Sequence, residues 1–156
     1  VSRSLNQIGK LDFPDWAAAR DKPMSKYRIM LADDHALFRE GIKRILQEDP
    51  HLTVIGEAGD GLELLELLEE KTPDLVILDI SMPRLQGLEV IQLIKEHYPE
   101  VKVLILTMHK SKEYVYKAMN NGADGFLVKE DADAVLRSAI ESLRRGGTFI
   151  SPLIFG

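Results

Sequence analysis

Five short apolar runs, each followed by a longer amphipathic one, constrain this chain more than any other feature. The apolar runs are YRIMLA, LTVIGEA, DLVILDI, VKVLILT and DGFLVK, all rich in Ile, Leu and Val with little strict alternation. A strand with one wet face alternates polar and apolar residues. A strand that is apolar throughout is buried on both faces, as in a parallel sheet covered by helices on either side. Between them stand ALFREGIKRILQED, GLELLELLEEKT, GLEVIQLIKEHY and KEYVYKAMNNG, with DADAVLRSAIESLRRGG at the end. In the first of these, Leu37, Ile42, Ile45 and Leu46 are expected on one helical stripe and Arg39, Glu40, Lys43 and Arg44 on the other. Pro50, Pro73 and Pro99 each stand after a helical run and before a strand, and Gly122 and the pair Gly146-Gly147 close helices. The order is (βα)5, and right-handed crossovers make it an α/β, doubly wound, parallel five-stranded sheet. Ligands of such sheets sit at the carboxyl ends of the strands.

Composition removes several classes of function. The 156 residues, 45% hydrophobic and 29% charged, suit one domain plus a tail. Without cysteine there is no disulfide, thiolate catalysis or cysteine-bound metal. Apolar runs of about half a dozen residues fall far short of the ~20 of a membrane span, so no membrane association and a cytoplasmic location are expected. A net charge of −5 with no basic block gives no footprint for nucleic acid binding by this chain alone.

The strand ends carry the chemistry. Strand 1 ends at Asp33-Asp34, strand 3 at Asp79, strand 4 at Thr107 and strand 5 at Lys129. With a sheet order of 2-1-3-4-5, these residues share one pocket. Two carboxylates 4 Å apart repel by about 4 kcal/mol at an effective dielectric of 20, so three together need either a proton or a hard cation. Few carboxylates with open water positions suit Mg2+. A metal beside an aspartate, a lysine and a hydroxyl fits phosphoryl transfer, with Asp79 as nucleophile, Lys129 pairing one phosphoryl oxygen, Thr107 meeting another, and an acyl phosphate as product. Taken singly, Asp33 and Asp34 read equally as helix caps, Asp79 as structural and Lys129 as solvated. Their joint appearance at four neighbouring strand ends favours function.

The set ADDH, LVILDISMPRLQGLEVI, LILTMH and GADGFLVKE resembles the receiver domain of two-component response regulators, from Met24 to about Gly147. The resemblance implies the flavodoxin-like fold, with Asp79 as phosphoacceptor, Asp34 as direct Mg2+ ligand, Asp33 reaching the metal through water, and the Ser81 carbonyl as a further ligand. It makes Lys129 the phosphoryl-binding lysine and Thr107 the switch hydroxyl. The implied donor is the phosphohistidine of a sensor histidine kinase, and the chain is not an enzyme beyond its own phosphorylation and dephosphorylation. GGTFISP is similar to the end of NarL/FixJ receivers, where a linker leads to a helix-turn-helix DNA-binding domain, absent here. The expected organisation is a mobile leader or expression-derived extension over 1–23, the receiver over 24–147 and the start of a linker over 148–156.

The family's switch draws Thr107 toward the phosphoryl group while Phe126 rotates inward, remodelling the face made by the fourth helix, fifth strand and fifth helix. Phe126 stands where many relatives carry tyrosine, and reads equally as a plain core residue. Glu130 replaces a frequent proline after Lys129, so a trans peptide is expected. Ser81 and His109 match positions near the attacking water, although His109 reads first as a loop residue. His35 is taken to open the following helix, since Mg2+ prefers oxygen. Met82-Pro83 shapes the acceptor loop, and Gly87 permits close approach of the third helix. A homodimer is expected through the fourth and fifth helices, with Lys117, Arg137, Arg144 and Arg145 meeting acids. A haloacid-dehalogenase-type phosphatase would need an aspartate where Ser81 stands, and a flavin carrier would need a phosphate loop where DDHALF would repel one. A degenerate receiver acting only as a binding module is the remaining alternative.

Overall fold

The computed structural model describes residues 26–80 and 87–154. The expectations for residues 1–23, Ser81 and Met82-Pro83 lie outside the described residues. In chain order the elements are β1 (Tyr27–Ala32), α1 (Ala36–Gln47), β2 (Leu52–Ala58), α2 (Gly61–Glu70), β3 (Leu75–Leu78), α3 (Gly87–His97), β4 (Lys102–Thr107), α4 (Lys112–Asn120) and β5 (Gly125–Val128). A 3₁₀ turn (Lys129–Asp131), α5 (Ala132–Arg144), a two-residue β6 (Phe149–Ile150) and a last 3₁₀ turn (Pro152–Ile154) follow. Every strand pairing is parallel, and the order is β2-β1-β3-β4-β5-β6.

The expected order 2-1-3-4-5 is present, but the sheet has six strands and not five. Gly146, at φ 90°, reverses the chain after α5, and Phe149 and Ile150 then pair with Gly125 and Phe126. Two residues are too few to carry a periodic pattern, so only the tertiary fold shows that the edge of β5 is covered.

Successive side chains of each strand enter opposite cores. From β1, Ile29 and Leu31 pack with Ile42 and Leu46 of α1 and with Leu136, Ile140 and Leu143 of α5. Met30 and Ala32 face the other way, into the layer containing Leu64 and Leu68 of α2, Ile91 and Ile94 of α3, and Val115 and Ala118 of α4. This two-sided burial is the physical reason the strands read as unbroken apolar runs.

Leu37 corrects the expected stripe of α1. It is 89% exposed, while Ile42 and Leu46 are buried and Ile45 packs against them. The helix begins only one residue earlier, at Ala36, and Phe38 takes the inward place in that first turn. The cations offered for dimer contacts are engaged within the chain: Lys117 lies 3.2 Å from Glu113, Arg137 2.6 Å from Glu48 and Arg145 3.4 Å from Glu141, and Arg144 stands 5.0 Å above the Tyr27 ring. The backbone contains no cis peptide among the described residues, so Lys129–Glu130 is trans as expected. No described helix is long and apolar enough to cross a membrane.

Tyr27 opens β1 at the end of the sheet away from the acidic cluster. Its hydroxyl is buried and, among the described residues, meets no hydrogen-bond partner. Burial first, and the nearby Asp74 second, push its pKa up to about 12. Because the folded chain holds this proton more tightly than the unfolded one, the associated stability is complete below pH 10 and is lost as pH rises from 10 through 12. Tyr27→Phe is expected to leave stability at pH 7 unchanged or slightly higher, and to remove about 2 kcal/mol of the alkaline loss. Denaturation midpoints of the two proteins from pH 7 to 12 check this; parallel curves would defeat it.

Candidate functional site

The acidic cluster is assembled where the ladders of the central strands run out. Asp33 N–H still donates to the Ala58 carbonyl at 3.0 Å, and Asp79 N–H to the Ala32 carbonyl at 2.9 Å, so both residues are held by the sheet beyond the ends of β1 and β3. Asp33, Asp79, Thr107 and Lys129 are all buried. Of the three carboxylates, Asp34 alone keeps substantial access to water, its side chain being 38% exposed.

Lys129 stands at the centre. Its Nζ lies 2.7 Å from Asp33 Oδ2 and 3.2 Å from Asp79 Oδ2, and 4.4 Å from the centre of the Phe38 ring. Carboxylates buried this deeply repel strongly unless a cation intervenes, and the ammonium does so for this pair. Three carboxylates against one ammonium still leave two negative charges in excess while His35 is neutral. One ligand atom from each of Asp33, Asp34, His35 and Asp79 can be chosen so that all lie within 4.8 Å of one another. Hard carboxylate oxygens, an excess of negative charge and one face open to water fit Mg2+.

His35 both opens α1 and lines the site. It occupies the N-cap position with extended backbone and makes no side-chain capping bond. Its Nδ1 lies 3.0 Å from Asp33 Oδ1, 3.5 Å from Asp34 Oδ1 and 3.1 Å from Lys129 Nζ. Nδ1 donates to Asp33 when it carries the proton and accepts from Lys129 when it does not.

Arg39 was read from the sequence only as part of a polar stripe, and Phe38 was not singled out. Arg39 Nη1 donates to the Asp33 carbonyl, and its Nε to Glu57 Oε1 at 3.2 Å, which ties the acid pair to the end of β2. Helical side chains lean toward the N-terminus, so first-turn residues of a helix following a strand reach back over the strand end. That lean is the signal that would have found both.

Thr107 closes β4 with its side chain fully buried, and its hydroxyl accepts the His109 N–H at 3.4 Å. The His109 ring stacks on Tyr114 at 4.4 Å, in keeping with its reading as a loop residue. Phe126 is fully buried in the core layer that also holds Val115 and Ala118, so the inward position is already occupied here. Gly87 N–H donates to the Ile80 carbonyl at 3.4 Å, and a Cβ at Gly87 would fall 2.3 Å from the Ile80 Cα, so α3 does approach the chain just beyond β3 closely.

Known proteins share this frame. Residues 29–141 match the response regulator receiver domain family. The transcriptional regulatory protein DegU of Brevibacillus brevis is 41% identical over 131 residues, covering 83% of this chain and 55% of that protein. The nitrate/nitrite response regulator protein NarL of Escherichia coli is 34% identical over 123 residues, covering 79% of this chain and 57% of that protein. The chain thus spans little more than half the length of these curated relatives. Among solved structures, a LuxR-family two-component response regulator from Aurantimonas superposes with a TM-score of 0.79 at 38% identity, over 83% of this chain and 93% of that one. The isolated receiver domain of RcsB from Salmonella enterica, solved with the phosphomimetic BeF3-, gives 0.78 at 26% identity, over 83% of this chain and 96% of that one. With a doubly wound sheet, an acid pair, a buried aspartate and a lysine at its carboxyl edge, and a family match over most of its length, this chain belongs to the response regulator receiver domain family, its relatives including regulators of the NarL and DegU type.

Proposed function

We propose that this receiver takes a phosphoryl group onto Asp79 from the phosphohistidine of a sensor histidine kinase, in a Mg2+-dependent reaction, and passes the change to an effector through the face made by α4, β5 and α5. The observation that carries this reading is the burial of Asp79 beside two further carboxylates with the Lys129 ammonium 3.2 Å from Oδ2. An Asp79 oxygen attacks phosphorus as the phosphorus–nitrogen bond of the donor breaks, the electron pair returning to the imidazole. Lys129 then meets a phosphoryl oxygen, and Thr107 offers its hydroxyl to another. Asp34 and Asp79, with Asp33 through water and the Ser81 carbonyl, would hold Mg2+. The ion supplies charge neutralisation for the developing phosphoryl oxygens.

The group adds roughly −1.5 to −2 charges, enough to draw Thr107 from His109 and shift the loop after β4. With Phe126 already inside, the state described here needs no further inward rotation of that ring. Residues 24–147 form the phosphorylated unit, in the cytoplasm, and the segment from 148 leads toward a DNA-binding domain such as full-length regulators of this type carry. Dimerisation through α4 and α5 rests on the family alone, since its cations already have partners within the chain.

Intact mass after incubation with a small phosphodonor and Mg2+ tests the reading. One added phosphoryl group is expected on the wild-type chain, and none on Asp79→Asn or without metal. A chain unmodified by small donors and by its kinase would overturn it in favour of a phosphorylation-independent binding module.

A further inference from the structure

The described core holds five buried polar or charged side chains, and four of them, Asp33, Asp79, Thr107 and Lys129, belong to the acidic site. The fifth is Ser151, fully buried just after β6. Its hydroxyl accepts the Val128 N–H at 3.2 Å and donates to Asp131 Oδ2. Val128 immediately precedes Lys129, and Asp131 ends the 3₁₀ turn that Lys129 begins. One hydroxyl therefore clasps the backbone just before the lysine to the side chain of the residue two after it.

Three more contacts strengthen the clasp. Ser151 N–H donates to the Phe126 carbonyl at 2.8 Å, Leu153 N–H approaches Asp131 Oδ2 at 3.5 Å, and Ile154 is buried in the same core layer as Phe126 and Val128. Asp131 stands at the N-cap position of α5 yet makes no capping bond there. Aspartate at an N-cap ordinarily bonds the open N–H groups of the first turn. Here the carboxylate is turned to Ser151 instead, so the local helix preference has yielded to holding the turn.

We propose that Ser151 is a positioning residue for Lys129, so that the segment leaving α5 is a working part of the site and sets the rate of phosphoryl uptake. This rests on the reading of Asp79 as phosphoacceptor. A lysine stem is long and loses much rotamer freedom when ordered, and its ammonium is aimed only as well as its backbone is held. Lys129 is the one member of the site that follows β5 directly, and β5 gains its outer neighbour only through β6. Asp33 and Asp34 follow β1, three strands from β5, and Asp79 follows β3, two strands from it, so the clasp should govern the lysine without moving the carboxylates.

Two variants cut the clasp from opposite sides: Ser151→Ala removes the hydroxyl, and Asp131→Ala removes its acceptor without opening a hole at the buried serine. Ser151→Thr retains a hydroxyl. The first readout needs no phosphorylation. Acylation of Lys129 by a small activated ester, measured by peptide mass spectrometry against exposed Lys117, is expected to quicken about fivefold in both alanine variants, the weight of one net hydrogen bond. The maximal rate of phosphoryl uptake is expected to fall about tenfold, since small misplacements of a reacting group are costly. Mg2+ affinity should not fall, and should rise slightly as a loosened Lys129 competes less for the Asp33 and Asp79 oxygens, and Ser151→Thr should restore both rates. Wild-type labelling of Lys129 in Asp131→Ala, with the wild-type chain accepting phosphate, would overturn the positioning role and leave the phosphoacceptor reading intact. Quickened labelling in a chain whose wild type accepts no phosphate would uphold the clasp on Lys129 and overturn the phosphoacceptor reading together with the rate claim.

Discussion

Lys129→Met is expected to lower stability by about 3 to 5 kcal/mol, the usual cost of removing one partner from a buried ion pair. The side chains of Lys129, Asp33 and Asp79 are 5%, 9% and 1% exposed, so water can do little to replace the lost ammonium. Asp33 and Asp79 would then face each other and Asp34 with no cation among them. Mg2+ should rescue the variant far more than it stabilises the wild type, because Lys129 competes with the ion for the same oxygens. A ligand that binds only the folded chain stabilises it in proportion to ln(1 + [L]/Kd), so the tighter site gives the larger shift. Phosphoryl uptake should nonetheless fall by about 10²- to 10³-fold, because a donor aimed at the developing charge is gone. Metal affinity and activity thus move in opposite directions, which general unfolding cannot imitate. Denaturant titrations with and without Mg2+, alongside the mass assay, make the comparison. A variant as stable as the wild type in metal-free buffer would show that the ammonium is not what holds the carboxylates together.

Gly87→Ala is expected to be the most damaging single methyl group. The added Cβ would lie 2.3 Å from Ile80 Cα and 2.7 Å from Ile80 Cβ, and backbone cannot step aside as a flexible side chain can. Ile80 follows Asp79 directly, so relief of the clash displaces Asp79. Overpacking of this kind costs about 3 kcal/mol or more, and phosphoryl uptake should fall with it. Gly41 supplies the contrast. It sits inside α1, and a Cβ there meets nothing within 4 Å. Gly41→Ala should therefore stabilise the chain by about 0.5 to 1 kcal/mol through helix propensity. Opposite signs for the same substitution, read from two melting curves, are the expected result; equal signs would remove the steric argument at Gly87.

Much of the fold was legible because hydrophobic burial writes a pattern that is local in the chain. YRIMLA and LTVIGEA coincide with β1 and β2, and the helical runs match α1 to α5 within a few residues. Gly122 and Gly146 take positive φ where the helix ends were read. Leu37 misled because periodicity says which face a residue occupies, not whether the core extends that far along the helix. Asp33, Asp34, Asp79 and Lys129 could be read as neighbours because strand ends are visible and sheet order brings them together, and Thr107 ends the adjacent β4. His35, Phe38 and Arg39 were not placed there, since each meets the cluster from the start of α1, and Ser151 was missed because it returns to the lysine turn only through a chain reversal.

The sequence by itself determined the layered parallel sheet, the strands that lie side by side and the residue types that meet at their carboxyl ends. Those properties follow from burial period and crossover handedness, which are carried by neighbours in the chain. Only the tertiary structure decided that Lys129 lies between Asp33 and Asp79, that His35 turns over the acids, and that Ser151 returns from beyond α5 to hold Val128 and Asp131. Hydrogen bonds and ion pairs depend on distances of a few tenths of an ångström between residues far apart in sequence, and no local pattern encodes such distances.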